Sequence, residues 1–468
     1  MAKKKSSSPG KSVKKAVKKE IKKAAKKNPG VFIAIVAVVL VVALAISAVF
    51  LYQKTHTGGE GSSHDSTSLH SSDSSSSYSS LDSHSESTFS EHSSSEESES
   101  ISLDGDSSPL SIHFIEQDAP YTGDLIYIKA GENDIVIDGG ARKGVAATAT
   151  AYIDKFVTDG KLEYVIATHA HQDHIAGLIG NADSSATGGR TGILYHYQVD
   201  TLIDFSYYIS DSYTHLNSWA DGEADTARSD GKITQIYRDY LTARDYAISK
   251  GTTHYLASQL TTQGNNWTVE LGTNLTMTIL YNFFYDHTKE DVKLLDPSYS
   301  TGNFSDQNDC SVAALFSQGN NHMLFTGDCE EYAEASIVKF NSLPKVKLFK
   351  AGHHGSYTAS SDVLLDAIDP DLIVCCCCAG NKEYASNPNN SFPAQAAINR
   401  FAKHTDRVYV TTLGSWEDKN YHTPMNGDVV VNYAVNGQES ISFSNNDTKL
   451  KDTTWFKENR AAPPEWTA

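Results

Sequence analysis

Residues 168–177 read Thr-His-Ala-His-Gln-Asp-His-Ile-Ala-Gly, with three histidines and an aspartate inside six positions. They follow an apolar run (Leu162, Tyr164, Val165, Ile166) with the character of a buried strand. This pairing constrains the fold more than any other feature. A strand must end where His169 and His171, one residue apart, can aim two imidazoles at one cation. Asp173 and His174 then follow on the turn and can hold a second cation beside it. Zinc accepts this mixture of nitrogen and oxygen donors, and two zincs ~3.5–4 Å apart can clamp a phosphoryl or acyl centre. The bland alternative is a surface cluster of histidines. The run HxHxDH, closed by an apolar residue and a glycine, favours the metal.

Charge is distributed very unevenly over the 468 residues, whose net charge is −18. Residues 1–30 hold twelve lysines against Glu20, a balance of +11, and residues 53–108 hold Lys54 against eleven acids, a balance of −10. With residues 31–52 uncharged, −19 is left for residues 109–468. That last segment is long enough for a large core. Its acidity counts against a protein that holds nucleic acid through its phosphates, which calls for a basic surface.

Val31–Tyr52 is an unbroken apolar segment, and about 20 such residues span a bilayer as a helix. The lysines precede it, so the positive-inside rule predicts a cytoplasmic tail at 1–30 and a signal anchor at 31–52, with everything later outside the cell. A cleaved signal peptide is the alternative; its apolar region is usually shorter, ~7–15 residues. Residues 53–108 are dominated by serine and scattered acids, the composition of a solvated, disordered tether.

Residues 109–468 carry the globular part. Strands are expected at 111–115, 124–128, 134–138 and 162–168, with a helix at 144–159, and a strand somewhere in 193–204. Ile233–Ser249 has helical spacing. In the second half, a hairpin turns at Gln318–Asn321 and its second strand ends in Thr326-Gly327-Asp328. A helix (331–340) follows, and then a strand (345–350) that runs into Ala351-Gly352-His353-His354-Gly355-Ser356. A third unit alternates helix 360–367, strand 371–378, helix 394–403 and strand 407–411. This grammar implies an α/β protein with two packed sheets and helices outside. The aromatic residues of the 195–219 region (Tyr195, Tyr197, Tyr207, Tyr208, Tyr213, Trp219) are expected as packing, or alternatively at the mouth of the site, where aromatic faces suit a quaternary ammonium group. If Phe316 faces Met323, the register brings Cys310 opposite Cys329 as a candidate disulfide. Cys375–Cys378 reads as part of a buried strand.

Asp138 with Gly139 and Gly140, the 169–174 cluster, Asp328 and the His353-His354-Gly355-Ser356 run together resemble the metallo-β-lactamase superfamily, an αββα sandwich with one or two metals at the edge between its sheets. Gly123-Asp124, Asn308-Asp309-Cys310-Ser311 and the HHGS run most resemble two groups within it, ComEC-like competence hydrolase domains and Gram-positive phosphorylcholine esterases. The resemblance covers about residues 110–440. It implies that His169 and His171 hold one metal and that Asp173, His174 and His354 hold the other, with Asp328 bridging. Asp138 would orient His174 or a neighbouring ligand, and Asp173 and His353 are catalytic candidates. His353 is expected to stand behind His354, because neighbours on an extended chain point apart; the reverse assignment stays open. One departure matters: the third histidine many members supply to the first metal is absent. Gln307-Asn308-Asp309 stands there, leaving water or an Asp309 oxygen, with His196, His215 and His287 unranked alternatives. Two Zn2+ ions are implied, with Mn2+ the alternative.

The function so implied is metal-assisted hydrolysis, first of a phosphodiester in a cell-surface polymer. Hydrolysis of external DNA is the second reading. The Asn381-Lys382-Glu383-Tyr384 block resembles the competence group, but Asn387-Pro388 stands where a histidine is expected. β-Lactam hydrolysis is a distant third. A catalytically silent binding module is the reading from another class.

Overall fold

The computed structural model describes residues 107–181, 185, 189–209, 214–216, 223–305 and 307–467. The lysine-rich tail, the apolar span and nearly all of the tether lie outside these residues. No described helix is long and apolar enough to cross a membrane.

Eighteen strands are present among the described residues. The first five are β1 (Leu110–Phe114), β2 (Ile126–Ala130), β3 (Asn133–Ile137), β4 (Lys161–Ile166) and β5 (Gln198–Asp204). A small hairpin of β6 (Tyr207–Ile209) and β7 (Thr214–Leu216) follows, then β8 (Thr253–Leu256), β9 (Trp267–Gly272) and β10 (Leu275–Ile279). The second half supplies β11 (Ala314–Gln318), β12 (Asn321–Phe325), β13 (Leu348–Lys350), β14 (Ile373–Ala379) and β15 (Val408–Gly414). The chain closes with β16 (His422–Pro424), β17 (Val429–Tyr433) and β18 (Glu439–Phe443). Two eight-stranded sheets result, ordered β18-β17-β1-β2-β3-β4-β5-β8 and β16-β15-β14-β13-β12-β11-β10-β9. The first is parallel along β3-β4-β5-β8 and antiparallel in the rest, and the second is parallel along β12-β13-β14-β15 with antiparallel strands on both flanks.

The sheets pack face to face over one apolar core, where Phe114 of the first meets Phe325 of the second with ring centroids 6.2 Å apart. Helices cover the outer faces, as parallel crossovers require. On the first sheet these include α1 (Val145–Ile153), α2 (Gln172–Ile179) and α3 (Gln235–Ser249), the last capped by the Thr234 hydroxyl on the Tyr237 amide. On the second they include α4 (Glu331–Phe340), α5 (Asp362–Ile368) and α6 (Gln395–Phe401), packed in a second core. β14 is buried throughout, which explains four consecutive cysteines: Cys375 and Cys377 enter the helix-side core and Cys376 the core between the sheets.

Two local expectations are corrected, and one of two alternatives is selected. Residues 193–196 form a helical turn, and the strand of that region begins only at Gln198. Phe316 does face Met323, but the ladder ends at Ala314 opposite Phe325. Cys310 therefore lies in a 3-10 turn rather than across from Cys329, and all six cysteines are free thiols. Tyr197, Tyr207 and Tyr208 are buried, and Tyr195 packs against Tyr246, so none of these four lines the candidate site. Tyr213 and Trp219 lie outside the described residues.

Candidate metal centre

Asp138 follows β3, Thr168 and His169 follow β4, Asp328 follows β12, and His353 and His354 follow β13. These strands belong to the parallel halves, so their carboxyl ends share one edge, the usual place for a site in such sheets. The β3–β4 register sets Ile137 beside Ile166 and carries straight into the site. Asp138 donates its amide to the Ile166 carbonyl at 2.8 Å, and its carboxylate accepts from the Thr168 amide (2.8 Å) and hydroxyl (2.7 Å).

Helix α2 starts immediately after His171 and brings Asp173 and His174 back over this edge. Two glycines let it in. Gly139 donates its amide to the His174 carbonyl at 2.6 Å, and a Cβ on Gly177 would sit 1.8 Å from the Gly139 oxygen. The β1–β2 connection is equally close: Asp124 donates its amide to the Asp173 carbonyl at 3.1 Å.

The side chains converge on one atom. His174 Nε2 is 3.1 Å from Asp328 Oδ2, His354 Nε2 3.4 Å, His353 Nε2 3.6 Å and His169 Nε2 3.8 Å. Each of the first three rings is fixed from behind through Nδ1. His174 meets Asp138 at 2.7 Å, His353 meets Glu330 at 3.0 Å, and His354 meets the Cys376 carbonyl at 3.0 Å with Asp124 at 3.1 Å. Carboxylates and carbonyls behind imidazoles in this way fix the ring and leave Nε2 free to ligate. His169 Nε2 is 3.0 Å from His171 Nδ1, and Asp173 Oδ2 is 3.5 Å from His354 Nε2.

Whether a cation fits can be asked of the polar atoms themselves. His174 Nε2, His354 Nε2 and both oxygens of Asp328 are buried without a hydrogen-bond partner. Leaving such groups unsatisfied costs free energy of about 1–3 kcal/mol each. Donor atoms of Asp124, His174, Asp328 and His354 lie within 4.8 Å of one another. This donor set fits a divalent cation. All six residues expected to ligate lie at this edge.

The expectation that His353 turns away from His354 fails, because the chain there is not extended. Both residues are left-handed (φ 44° and 58°), so adjacent side chains swing to the same carboxylate. His353 thus reaches the side where a third histidine was missing. An Asp309 oxygen does not. That carboxylate is buried, accepts from the Ser305, Glu330 and Ala333 amides, and caps α4. His196 pairs with Asp154 and His287 with Asp286, and the side chain of His215 is outside the described set.

Two residues of the site were not foreseen. Asp124 stands just before β2, and Lys350 is the last residue of β13; their side chains are paired. A lysine closing a fully buried strand three residues before His353 was the available signal.

Charge in the cluster is strongly organised. Burial opposes ionisation of Asp328, yet His174, His354 and His353 hold its carboxyl well below the usual range. Burial likewise disfavours charge on His174, but Asp328 and Asp138 raise its pKa to about 10; His354 is also raised, by Asp328 and Asp124. His169 is driven the other way by burial and by its neighbour His174. His174, whose pKa is raised to about 10, must lose a proton to ligate a cation, and His354 is raised in the same direction, so Zn2+ binding there is expected to release protons. Affinity should then rise with pH toward 10. Titration calorimetry in two buffers of different ionisation enthalpy measures the release, and zero release contradicts this arrangement.

Above the cluster opens a cavity of about 710 Å³. Its lining includes His171, Asp173, His353 and Glu330 on the polar side, with Ile236, Tyr357, Tyr384 and Phe392 on the other. No lysine or arginine is among its lining residues.

No family model matches the sequence. Over 114 residues the chain is 36% identical to Recombination protein 2 of Haemophilus influenzae, a match covering 24% of this chain and 13% of that protein. The chain therefore spans about an eighth of that relative. Among solved structures it aligns with the metallo-beta-lactamase fold protein YhfI of Bacillus subtilis at 9% identity, over 67% of this chain and 99% of that one, with a TM-score of 0.32. Human tRNase Z, short form, aligns at 12% identity over 56% and 91%, with a TM-score of 0.28. Two packed mixed sheets, outer helices and a buried His/Asp cluster at the carboxyl edge make this an α/β fold.

Proposed function

We propose that this protein is a metal-dependent hydrolase, most of all a phosphodiesterase acting on a polymer at the cell surface, in the manner of phosphorylcholine esterases. The observation that carries the hydrolase reading is the set of unpartnered Nε2 and carboxylate oxygens beneath an open cavity. Divalent cations held there, Zn2+ before Mn2+, would stabilise negative charge developing on a phosphoryl group and lower the pKa of water. His169, His171 and His353 would serve one cation, and Asp173, His174 and His354 the other, with Asp328 shared. Asp138, Glu330 and the Cys376 carbonyl hold the imidazoles in register.

The cavity supports the choice of substrate. With Tyr357, Tyr384 and Phe392 in its wall, Glu330 beside them and no basic side chain in its lining, it suits a group that is apolar or cationic next to the phosphate. A polyanion would find no phosphate clamp there. Anchoring through residues 31–52, with the catalytic part (109–468) outside the cell on its tether, completes the proposal. A second reading, a nuclease acting on external DNA, is favoured by the similarity to Recombination protein 2.

Purified metal-loaded protein is to be assayed on p-nitrophenyl phosphorylcholine, bis-p-nitrophenyl phosphate, single-stranded DNA and a chromogenic cephalosporin. Turnover of the first two, abolished by chelator and restored by Zn2+ or Mn2+, is the expected result. Preference for DNA selects the second reading. Turnover of the cephalosporin alone sinks both, and no turnover of any probe by metal-loaded protein points to a binding module.

A further inference from the structure

A second cavity, of about 760 Å³, stands beside the one above the metal centre. Glu330, Tyr357 and Thr358 line both, so these three residues form the wall between them. Glu330 ties this wall to the metal centre, because its carboxylate also holds His353 Nδ1 at 3.0 Å. Each cavity has the volume of a small-ligand site, ~300–1,000 Å³. The first alone has room for a phosphoryl group and a small headgroup, so the second calls for a further part of the substrate.

The lining of the second cavity says what that part is. Glu331 and Asp362 open helices α4 and α5, and Asn303 and Ser305 come from the segment before β11. Among the described lining residues, three carboxylates (Glu330, Glu331, Asp362) accompany one guanidinium, that of Arg400. Lys403, outside the lining, pairs with Asp362 at 2.8 Å; even counting it, the balance is −1. Arg400 is committed to the wall itself: Nε donates to the Ser360 carbonyl at 2.7 Å, and Nη2 to those of Ala359 and Tyr357 at 2.6 and 3.1 Å. A phosphate there would meet repulsion. Hydroxyl groups, in contrast, can bond the carboxylates, the Asn303 amide and the Ser305 and Ser361 hydroxyls. Tyr357, 52% exposed, adds an aromatic face on which the C–H side of a sugar can pack.

We propose that the second cavity is a subsite for an uncharged, hydroxyl-rich unit, a sugar or polyol, of the polymer whose phosphodiester is cut in the first. The proposal rests on the hydrolase reading above and deepens it, because it names the part of the polymer that lies next to the scissile phosphate. A polymer whose phosphates are separated by such units sets one phosphate at the cations and the neighbouring hydroxyls against Glu331 and Asp362. Single-stranded nucleic acid carries a phosphate on every unit, so the unit next to the scissile bond brings a further charge toward this acidic wall.

The test uses the full metal-loaded chain and three phosphodiesters that share p-nitrophenol as leaving group, so the bond broken is the same in each. Their second alcohol is methanol, glucosylglycerol or, with phosphate in place of the glucose, glycerol phosphate. The glucosylglycerol diester is expected to exceed each of the others at least about tenfold in kcat/KM, mainly through KM, as for binding shared by ground and transition states. Val363→Trp fills the cavity from its rim, where Val363 is 49% exposed. It should cut that advantage to about threefold or less and leave the methyl diester within about twofold of wild type. Glu331→Gln keeps the shape, removes a charge and should narrow the gap between the glucose and phosphate diesters. The proposal is overturned if wild type treats the three diesters alike, if it prefers the phosphate one, or if Val363→Trp keeps the full advantage. Should Val363→Trp fail to fold, Glu331→Gln decides, and an unchanged gap overturns the proposal. If no diester is turned over, the hydrolase reading itself fails, and calorimetric titration with glucosylglycerol decides the subsite. Binding to wild type but not to Val363→Trp then supports it, and any other pattern overturns it.

Discussion

Asp328→Asn is expected to abolish metal binding and turnover together. One of its oxygens stands 3.1–3.8 Å from Nε2 of four histidines. The amide keeps the shape but removes the charge, and it presents either a neutral oxygen or an N–H to imidazole lone pairs. Turnover of bis-p-nitrophenyl phosphate should fall by roughly 10³-fold or more, ~4 kcal/mol of barrier. Elemental analysis of the folded variant should find less than one equivalent of metal. Buried Lys350 and His174 also lose a counter-charge, so circular dichroism must first show that the variant is folded. A folded Asp328→Asn protein that is depleted of metal yet retains turnover would falsify the hydrolase mechanism.

Gly177→Ala should produce the largest loss of stability. Alanine in place of glycine inside a helix ordinarily stabilises by ~1 kcal/mol. At Gly177 the sign reverses, because the new Cβ would lie 1.8 Å from the Gly139 oxygen, a backbone atom with nowhere to go. Gly139 is itself locked, since its own Cβ position is 2.3 Å from the Leu178 amide nitrogen. Helix α2 must retreat and carry Asp173 and His174 with it. A cost of ~4 kcal/mol or more is expected, which lowers Tm by on the order of 10 °C. Gly144→Ala is the control: it precedes α1 with nothing within 4 Å of its Cβ position, and should leave Tm unchanged. A Gly177→Ala variant as stable as that control would contradict the close approach.

Much of the frame is legible in the chain because it rests on local patterns. The apolar run before HxHxDH gives β4 to within two residues, whereas the helix α2 that carries Asp173 and His174 was expected only as a turn. Helix α4 matches its expected span, since the strand before it and the acids of its first turn mark the start. Edge strands were harder. β9 and β18 are half exposed, so their apolar alternation is diluted by polar residues, and neither stood out. Of the two readings of the 195–219 aromatics, packing holds for those described. Tyr207 and Tyr208 are abundant polar-tipped residues that the fold buries, while the cavity takes its rings from Tyr357, Tyr384 and Phe392, isolated in sequence.

The sequence by itself pointed to the chemistry the site can hold: the histidines and aspartate of 169–174 follow an apolar strand, and the resemblance adds Asp328 and His354 to them. Only the tertiary structure decided how they are used. Two successive left-handed residues turn His353 and His354 onto the same carboxylate, a backbone state that composition does not announce. Packing also brings Asp124 from the first sheet against Lys350 from the second, more than two hundred residues later in the chain. Ligand type is a property of residues and their neighbours, whereas burial, pairing and aim arise only when distant segments meet.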